Sequence, residues 1–146
     1  MSVDAVIIGG GVIGCAAARE LAHAGHRVTL LDRSAPESGA SWAAAGMLSP
    51  QAEADRADPF LDLLLESRRI YPAFAAALRE ETGRDVGYRE EGTLLIALTD
   101  DDEAELEDRL TWQREGGLEV DVLSRDELHE LEPVVSPEAR GGLRFS

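Results

Sequence analysis

Cysteine is nearly absent from this chain: Cys15 stands alone among 146 residues, so no intrachain disulfide can form. Long apolar runs are missing as well. None approaches the roughly 20 residues that a membrane-spanning helix needs, and no N-terminal stretch has the pattern of a secretory signal. A cytoplasmic location is the default expectation. Positive charge is scarce, with 14 Lys and Arg against 29 Asp and Glu and a formal net charge of −15. Such a surface repels nucleic-acid phosphates and anionic bilayers, so neither is expected as a partner. No Ser/His/Asp set, cysteine pair or metal-ligand spacing emerges, and no metal is expected. Internal repeats and low-complexity tracts are also lacking, apart from one alanine-rich loop.

What is present is concentrated in residues 4–33, DAVIIGGGVIGCAAARELAHAGHRVTLLDR. After Asp4, the β-branched run Ala5-Val6-Ile7-Ile8 reads as a buried parallel strand. Gly9, Gly11 and Gly14 follow as G-x-G-x-x-G. In that motif the first glycine makes the tight turn, the second admits a pyrophosphate to the backbone, and the third lets a helix pack on the strand. Val12, Ile13, Ala16, Ala17 and Leu21 give the helix an apolar side, and Gly25 ends it. Its N-terminal amides and positive dipole end form an anion site over the turn. Arg27-Val28-Thr29-Leu30-Leu31 is the second strand, and it delivers Asp32 eighteen residues after Gly14. A carboxylate there accepts ribose hydroxyls and repels a 2′-phosphate, which points to dinucleotide binding and excludes an NADP-type ligand. The plainer alternative is a tight, ligand-free strand-to-helix turn in an unrelated α/β protein.

The chain does not continue promptly into another helix and parallel strand, as a nicotinamide dehydrogenase would. Residues 34–50 are mostly small, without a strand period. Small side chains allow close backbone approach to a flat ligand, and a helical turn near Ser41 would aim further N–H donors at it. A surface loop packed by Trp42 and Leu48 accounts for the same composition.

GGGVIG at 9–14, LLDR at 30–33 and above all SGASWAAAGMLSPQAEA at 38–54 resemble the amino-terminal region of the D-amino-acid oxidase superfamily of FAD flavoproteins. The glycine oxidase branch of the thiamine pathway is the nearest likeness, and it continues through ESRRIYPAFAAALREETG and GYREEGTLLIAL. The resemblance implies FAD as cofactor. It places Gly9, Gly11, Val12, Ile13 and Gly14 in the pyrophosphate turn and Asp32 and Arg33 at the adenosine end. Ala40 and Ser41 would contact the phosphate or ribityl portion, with Ala45, Gly46 and Met47 beside the isoalloxazine ring. Family members often carry Glu where this chain has Asp32, and the shorter acid can still bind a ribose.

Further along, Asp58-Pro59 is a helix start. Phe60, Leu63, Leu64, Tyr71, Phe74 and Leu78 recur at helical spacing as a core stripe up to Gly83, and Pro72 is expected to kink or divide the helix. Residues 86–98 read as an antiparallel hairpin around Glu90-Glu91-Gly92. Thr99 caps a helix that opens with Asp100, Asp101, Asp102 and Glu103, acids that point around the helix and cannot converge on a metal. Gly116-Gly117 stops it, Val120–Leu123 is a short strand, and Ser124 to Glu127 is a capping box for a helix that Pro133 ends. The segment 141–146 looks like the beginning of a strand, which suggests truncation. The expected fold is α/β: a Rossmann-like FAD-binding βαβ unit in residues 1–85, followed by the start of an α+β substrate domain in 86–146.

The implied chemistry is hydride transfer from the α-carbon of glycine or a similar small amine to flavin N5, hydrolysis of the imine, and reoxidation by oxygen to peroxide. No catalytic residue is identified. The family's substrate-carboxylate arginine and its neighbouring tyrosine lie well downstream of the flavin motifs, and their roles do not transfer to Arg89, Arg140 or Arg144. Sarcosine oxidase or another amino-acid dehydrogenase of the superfamily is the near alternative. A non-catalytic dinucleotide-binding fragment and an NAD-binding regulatory domain are alternatives of other classes. Family members often form homo-oligomers, and nothing in the residues sets the subunit number. His23 and His26 suit the negative end of the first helix, His129 has no evident partner, and Cys15 reads as a small packed residue rather than a reactive thiolate. With only two strands, the parallel sheet is expected to be marginally stable and to expose apolar surface.

Overall fold

The computed structural model describes residues 4–34 and 39–146, and the chain divides into two compact units, Met1–Met47 and Leu48–Ser146. Residues 35–37 of the small-residue loop and Ser38, which opens the 38–54 motif, lie outside the described residues.

In the first unit, β1 (Ala5–Ile8) leads to α1 (Val12–His23), β2 (Val28–Leu31) and the short α2 (Ala40–Ala43). β1 and β2 pair in parallel, from Ala5 opposite Val28 to Ile8 opposite Leu31. Asp4 pins the start of the pair. Its Oδ2 accepts the Arg27 backbone N–H at 2.9 Å, and its Oδ1 faces the Arg27 guanidinium at 3.3 Å. Those bonds hold the Asp4 carboxyl below the usual carboxylate range. α1 ends at His23, and Gly25 takes φ +86° in the turn to β2. No α1 residue is buried, and Ile8 and Ile13 are 87% and 83% exposed. A parallel pair needs cover on both faces; here Ala5 and Ile7 are half-buried, while Val6 and Ile8 are exposed.

The second unit contains α3 (Pro50–Glu53), α4 (Pro59–Thr82), β3 (Thr93–Ala97), α5 (Asp100–Glu115), β4 (Asp121–Ser124), α6 (Arg125–Leu131) and β5 (Gly141–Phe145). Its sheet has the order β3-β5-β4, antiparallel throughout, so the last strand in sequence is the central one. The expected hairpin over 86–98 does not form. Only Thr93–Ala97 is a strand, and its partner is β5, more than forty residues on, with Thr93 opposite Phe145 and Ala97 opposite Gly141. Gly92 explains the break: at φ +84°, a Cβ there would sit 2.7 Å from the Phe145 carbonyl oxygen, so the chain enters β3 through a turn closed against β5. Val120, Leu143 and Phe145 form a core cluster that Ala52, Leu95, Leu106 and Leu110 complete.

α4 starts as the sequence indicates. Asp58 Oδ1 accepts from the Phe60 and Leu61 amides at 3.0 Å each, Pro59 occupies the first turn, and Gly83 ends the helix in the left-handed conformation. Pro72 does not divide it; the helix is continuous from Pro59 to Thr82, although an imide at that position cannot donate a hydrogen bond. The buried line also differs from the expected stripe. It follows 61, 64, 68, 71, 75 and 78 at helical spacing, with Leu61 and Ala75 buried, while Phe60 and Leu63 are exposed. Tyr71 packs between Phe74 and Tyr88, ring centroids 5.8 and 5.1 Å away.

The predicted Thr99 cap of α5 and the predicted capping box Ser124/Glu127 of α6 are both present, and Thr99 forms a full box with Asp102, beyond the single cap predicted. The first-turn acids of α5 face a cation as well as the helix dipole: Arg140 binds Asp100, and Glu103 at 2.8 Å. His129 is not without partners. Its Nδ1 lies 2.8 Å from the Arg125 carbonyl oxygen and its Nε2 3.1 Å from that of Ser136, tying α6 to the loop before β5.

Two outcomes follow for the second unit. At Gly142, a Cβ would stand 2.7 Å from the Leu95 carbonyl oxygen. Gly142→Ala forces the β3 backbone aside and should cost about 1–3 kcal/mol, read as a lower urea midpoint at constant slope. The carboxyls of Asp58, Asp102 and Glu127 are held below the usual range, chiefly by the Leu61 amide, the Leu98 amide and the Ser124 hydroxyl respectively. A carboxyl whose folded pKa lies below its unfolded value stabilises above the unfolded value and loses that contribution as pH falls through the folded one. The melting temperature should therefore hold steady from neutral pH and fall from about pH 4 downward, less steeply in Asp102→Asn.

Candidate dinucleotide site

The turn between β1 and α1 is built from close backbone approaches that only glycine allows. Gly9 takes φ +109° and donates its N–H to the Leu31 carbonyl at 2.8 Å, joining the end of β1 to β2. A Cβ on Gly14 would lie 1.9 Å from the Gly9 carbonyl oxygen, so a side chain there would prevent α1 from seating on the turn. Gly11 is the N-cap of α1 and has no side chain with which to cap it; a Cβ would come within 2.9 Å of Ser41 Oγ. The first-turn amides of Ile13 and Gly14 have no intrahelical acceptor by helix geometry. The first turn of α1 also carries no acid, whereas α5 carries four in its first turn.

Asp32 closes the turn from the β2 side. Its Oδ2 accepts the Gly10 N–H at 2.5 Å and its Oδ1 accepts the Ser34 N–H at 2.7 Å. These two bonds, Gly10 first, hold the carboxyl below the usual range, so it is ionised at neutral pH. Each carboxylate oxygen keeps a further lone-pair direction for a hydroxyl donor. Ser41 approaches from α2, its Oγ accepting the Val12 N–H at 3.0 Å. A hydroxyl used as an acceptor still has its own proton to donate, here beside the helix N-terminus.

The structure thus brings Gly9, Gly11, Val12, Gly14, Asp32 and Ser41 together around one turn, with Ile13 following in the same helical turn. Ala40 lies in α2 next to Ser41. Ala45, Gly46 and Met47 follow α2 as exposed backbone, Gly46 at φ +85°. Among the described residues no hydrogen bond joins Arg33, Ala45, Gly46 or Met47 to the turn. Gly10, counted in the sequence as a spacer of the motif, is the residue that engages Asp32, and the third consecutive glycine was its only signal. Cys15 is corrected: it is exposed, and its Sγ turns back to donate to the Gly10 carbonyl at 3.3 Å. Among the described residues there is no group of three or more His, Cys, Asp or Glu placed to hold a metal, and no helix long and apolar enough to cross a membrane.

A parallel βαβ unit with a bare helix N-terminus, an ionised acid at the end of β2 and a serine leaning on the first helical amide defines a dinucleotide-binding module. The comparisons narrow it. The family described as "DAO: FAD dependent oxidoreductase" matches residues 4–146. The glycine oxidase of Geobacillus kaustophilus (strain HTA426) is 42% identical over 142 residues, covering 97% of this chain and 38% of that enzyme. The bifunctional protein ThiO/ThiG of Trichormus variabilis is 47% identical over 88 residues, 60% of this chain and 13% of that protein. Among solved structures, glycine oxidase from Geobacillus kaustophilus superposes with a TM-score of 0.92 at 40% identity, over 97% of this chain and 38% of that one. The chain belongs to the DAO family of FAD-dependent oxidoreductases. FAD is the family's cofactor, and the chain spans 38% of the length of its glycine oxidase relative.

Gly14→Ala tests the turn. Its Cβ would stand 1.9 Å from the Gly9 carbonyl oxygen and 3.4 Å from the Ile7 side chain, so FAD retention should fall at least about tenfold, roughly 1.4 kcal/mol of binding, as measured by flavin fluorescence after gel filtration.

Proposed function

We propose that residues 4–146 serve an FAD-dependent amino-acid oxidase of the glycine oxidase kind, with the turn at 9–14, Asp32 and Ser41 holding the nucleotide half of the cofactor. The observation that carries this is the Asp32 carboxylate, ionised and bound across the turn to Gly10, beside a helix start whose N-cap, Gly11, has no side chain and whose first amide is held by Ser41 Oγ. In this reading Asp32 and Arg33 lie at the adenosine ribose, Ala40 and Ser41 at the phosphates or ribityl chain, and Ala45, Gly46 and Met47 beside the isoalloxazine ring. Residues 1–85 belong to the FAD-binding domain and 86–146 begin the substrate domain. The small amine is glycine or a close analogue, the second substrate is oxygen, the setting is cytoplasmic, and the full-length protein forms a homo-oligomer.

Held by the turn at 9–14, Asp32 and Ser41, FAD would supply the redox chemistry, acting as two-electron acceptor for the amine with oxygen as the final oxidant. The amine becomes an imine, water hydrolyses it to an oxo acid and ammonia, and oxygen leaves as hydrogen peroxide. No residue of this chain is assigned to those steps. Arg89 is paired with Glu91 at 3.2 Å, and Arg140 with Asp100 and Glu103. A second reading is a dinucleotide-binding chain without turnover of its own, since the described residues build a nucleotide turn and none is assigned to the amine.

Incubation with FAD, removal of free cofactor and anaerobic addition of glycine separate the two. Retained flavin that bleaches with glycine, and yields peroxide on readmitting air, supports the oxidase. Retained flavin that glycine does not bleach, but sarcosine does, moves the substrate to the N-methyl amine. Retention without bleaching by either supports the binding piece, and retention of NAD with rejection of FAD overturns the flavin assignment.

A further inference from the structure

Within the first unit, the short helix α2 is tied to its surroundings by one polar contact. Among the described residues, the Val12 N–H donated to Ser41 Oγ at 3.0 Å is the only hydrogen bond between α2 and another element. No α2 residue is buried, and Trp42 beside Ser41 is 68% exposed. Glycines in the left-handed conformation stand on both sides, Gly39 at φ +83° as the N-cap and Gly46 at φ +85° shortly after the helix. Neither is required by crowding, since nothing lies within 4 Å of where its Cβ would be. They serve through their backbone angles, which glycine can change freely. Four exposed residues between two such points form a strap.

The amide that Ser41 holds is the one an anion would use. Val12 opens α1, its N–H has no acceptor within the helix, and Gly11 before it has no side chain to offer one. Ser41 Oγ therefore does from 29 residues away what an N-cap side chain does from close by. A phosphate oxygen at that helix start and the Ser41 hydroxyl compete for the same donor. Their strengths differ: a hydrogen bond to a charged acceptor is roughly twice as strong as one between neutral groups, and the dipole of α1 favours the anion further. The neighbouring tie is of another kind. Asp32, which accepts the Gly10 N–H, is charged, is held by a second bond from the Ser34 N–H at 2.7 Å, and follows a strand paired with β1. Ser41 is the releasable partner of the two.

We propose, on the reading of the turn at 9–14 as the FAD pyrophosphate site, that Ser41 is a placeholder for a phosphate oxygen. It caps α1 through the Val12 amide and hands that amide over when the cofactor binds, with α2 swinging aside about Gly39 and Gly46. The helix start thus keeps an acceptor throughout. Opening of the strap precedes tight binding, so the rate and affinity are reduced by the fraction of time α2 stands open.

The test follows the Val12 amide by hydrogen exchange in the intact protein, without FAD and loaded with it, and FAD association by the change in flavin fluorescence. Ser41→Ala removes the placeholder, and Ser41→Thr keeps the hydroxyl. Without FAD, Val12 should exchange faster in Ser41→Ala than in wild type or Ser41→Thr. With FAD bound, Val12 should be equally protected in all three, because the phosphate then holds it. FAD should associate about fivefold faster with Ser41→Ala and at the wild-type rate with Ser41→Thr. Gly39→Ala leaves the hydroxyl in place but strains the closed strap at φ +83°, so it should speed both exchange without FAD and association. If Ser41→Ala does not fold, Gly39→Ala decides. Loss of Val12 protection in FAD-loaded Ser41→Ala, or association no faster than wild type in the deciding variant, overturns the hand-over and leaves the FAD site standing. A wild type that binds no FAD overturns the flavin reading, and the placeholder role with it.

Discussion

The approach of α1 to the end of β1 is the constraint on which the first unit depends. With a Cβ at residue 14 only 1.9 Å from the Gly9 oxygen, the helix can start where it does only if that position is glycine. The same closeness puts the helix N-terminus directly over the strand end, where its unsatisfied amides and dipole face outward. Everything chemically useful in this unit follows from that seat. Gly10 is carried within reach of Asp32, and the Val12 amide within reach of Ser41. A net charge of −15 makes the absence of acids from the first turn of α1 meaningful, because elsewhere the chain places acids at helix starts freely.

The second unit is organised from its last strand. β5 lies between β3 and β4, so neither earlier strand has a sheet partner until residues 141–145 arrive. Gly141 and Gly142 let it enter that narrow space, each with a neighbouring strand's carbonyl oxygen 2.7 Å from where a Cβ would be. Leu143 and Phe145 then supply core from the middle of the sheet. Polar groups do comparable work beneath α3, where Arg109 and Gln113 hold an irregular segment by its carbonyls. Close backbone packing at glycine serves both units, and the second adds buried hydrogen bonding.

The sequence by itself determined whatever depends on neighbours a few residues apart. The β1-turn-α1-β2 order, the Asp58 and Gly83 boundaries of α4, the cap at Thr99 and the capping box at Ser124 are local preferences of glycine, proline, serine, threonine and carboxylates, and all were legible in the sequence. Strand β4 was legible to within one residue. The nucleotide end of the site was readable for the same reason, since the glycine spacing and the following acid lie within one βαβ unit. The residues beyond it were identified by resemblance, because small side chains such as Ala45 and Gly46 carry little chemistry of their own.

Tertiary structure decided what depends on distant partners. An alternating apolar pattern can show that Thr93–Ala97 is a strand but not that it pairs with Gly141–Phe145, because register is chosen by the burial of both partners. Helical periodicity marked α4 as amphipathic, yet which line turns inward, 61–64–68–71–75–78 rather than that of Phe60 and Leu63, was set by what packs on it. The buried Gln51–Gln113–Arg109 network gave no local signal, for its members stand about sixty residues apart and each resembles a surface residue in sequence. Burial of polar groups becomes favourable only once all the partners are in place, and that condition belongs to the fold.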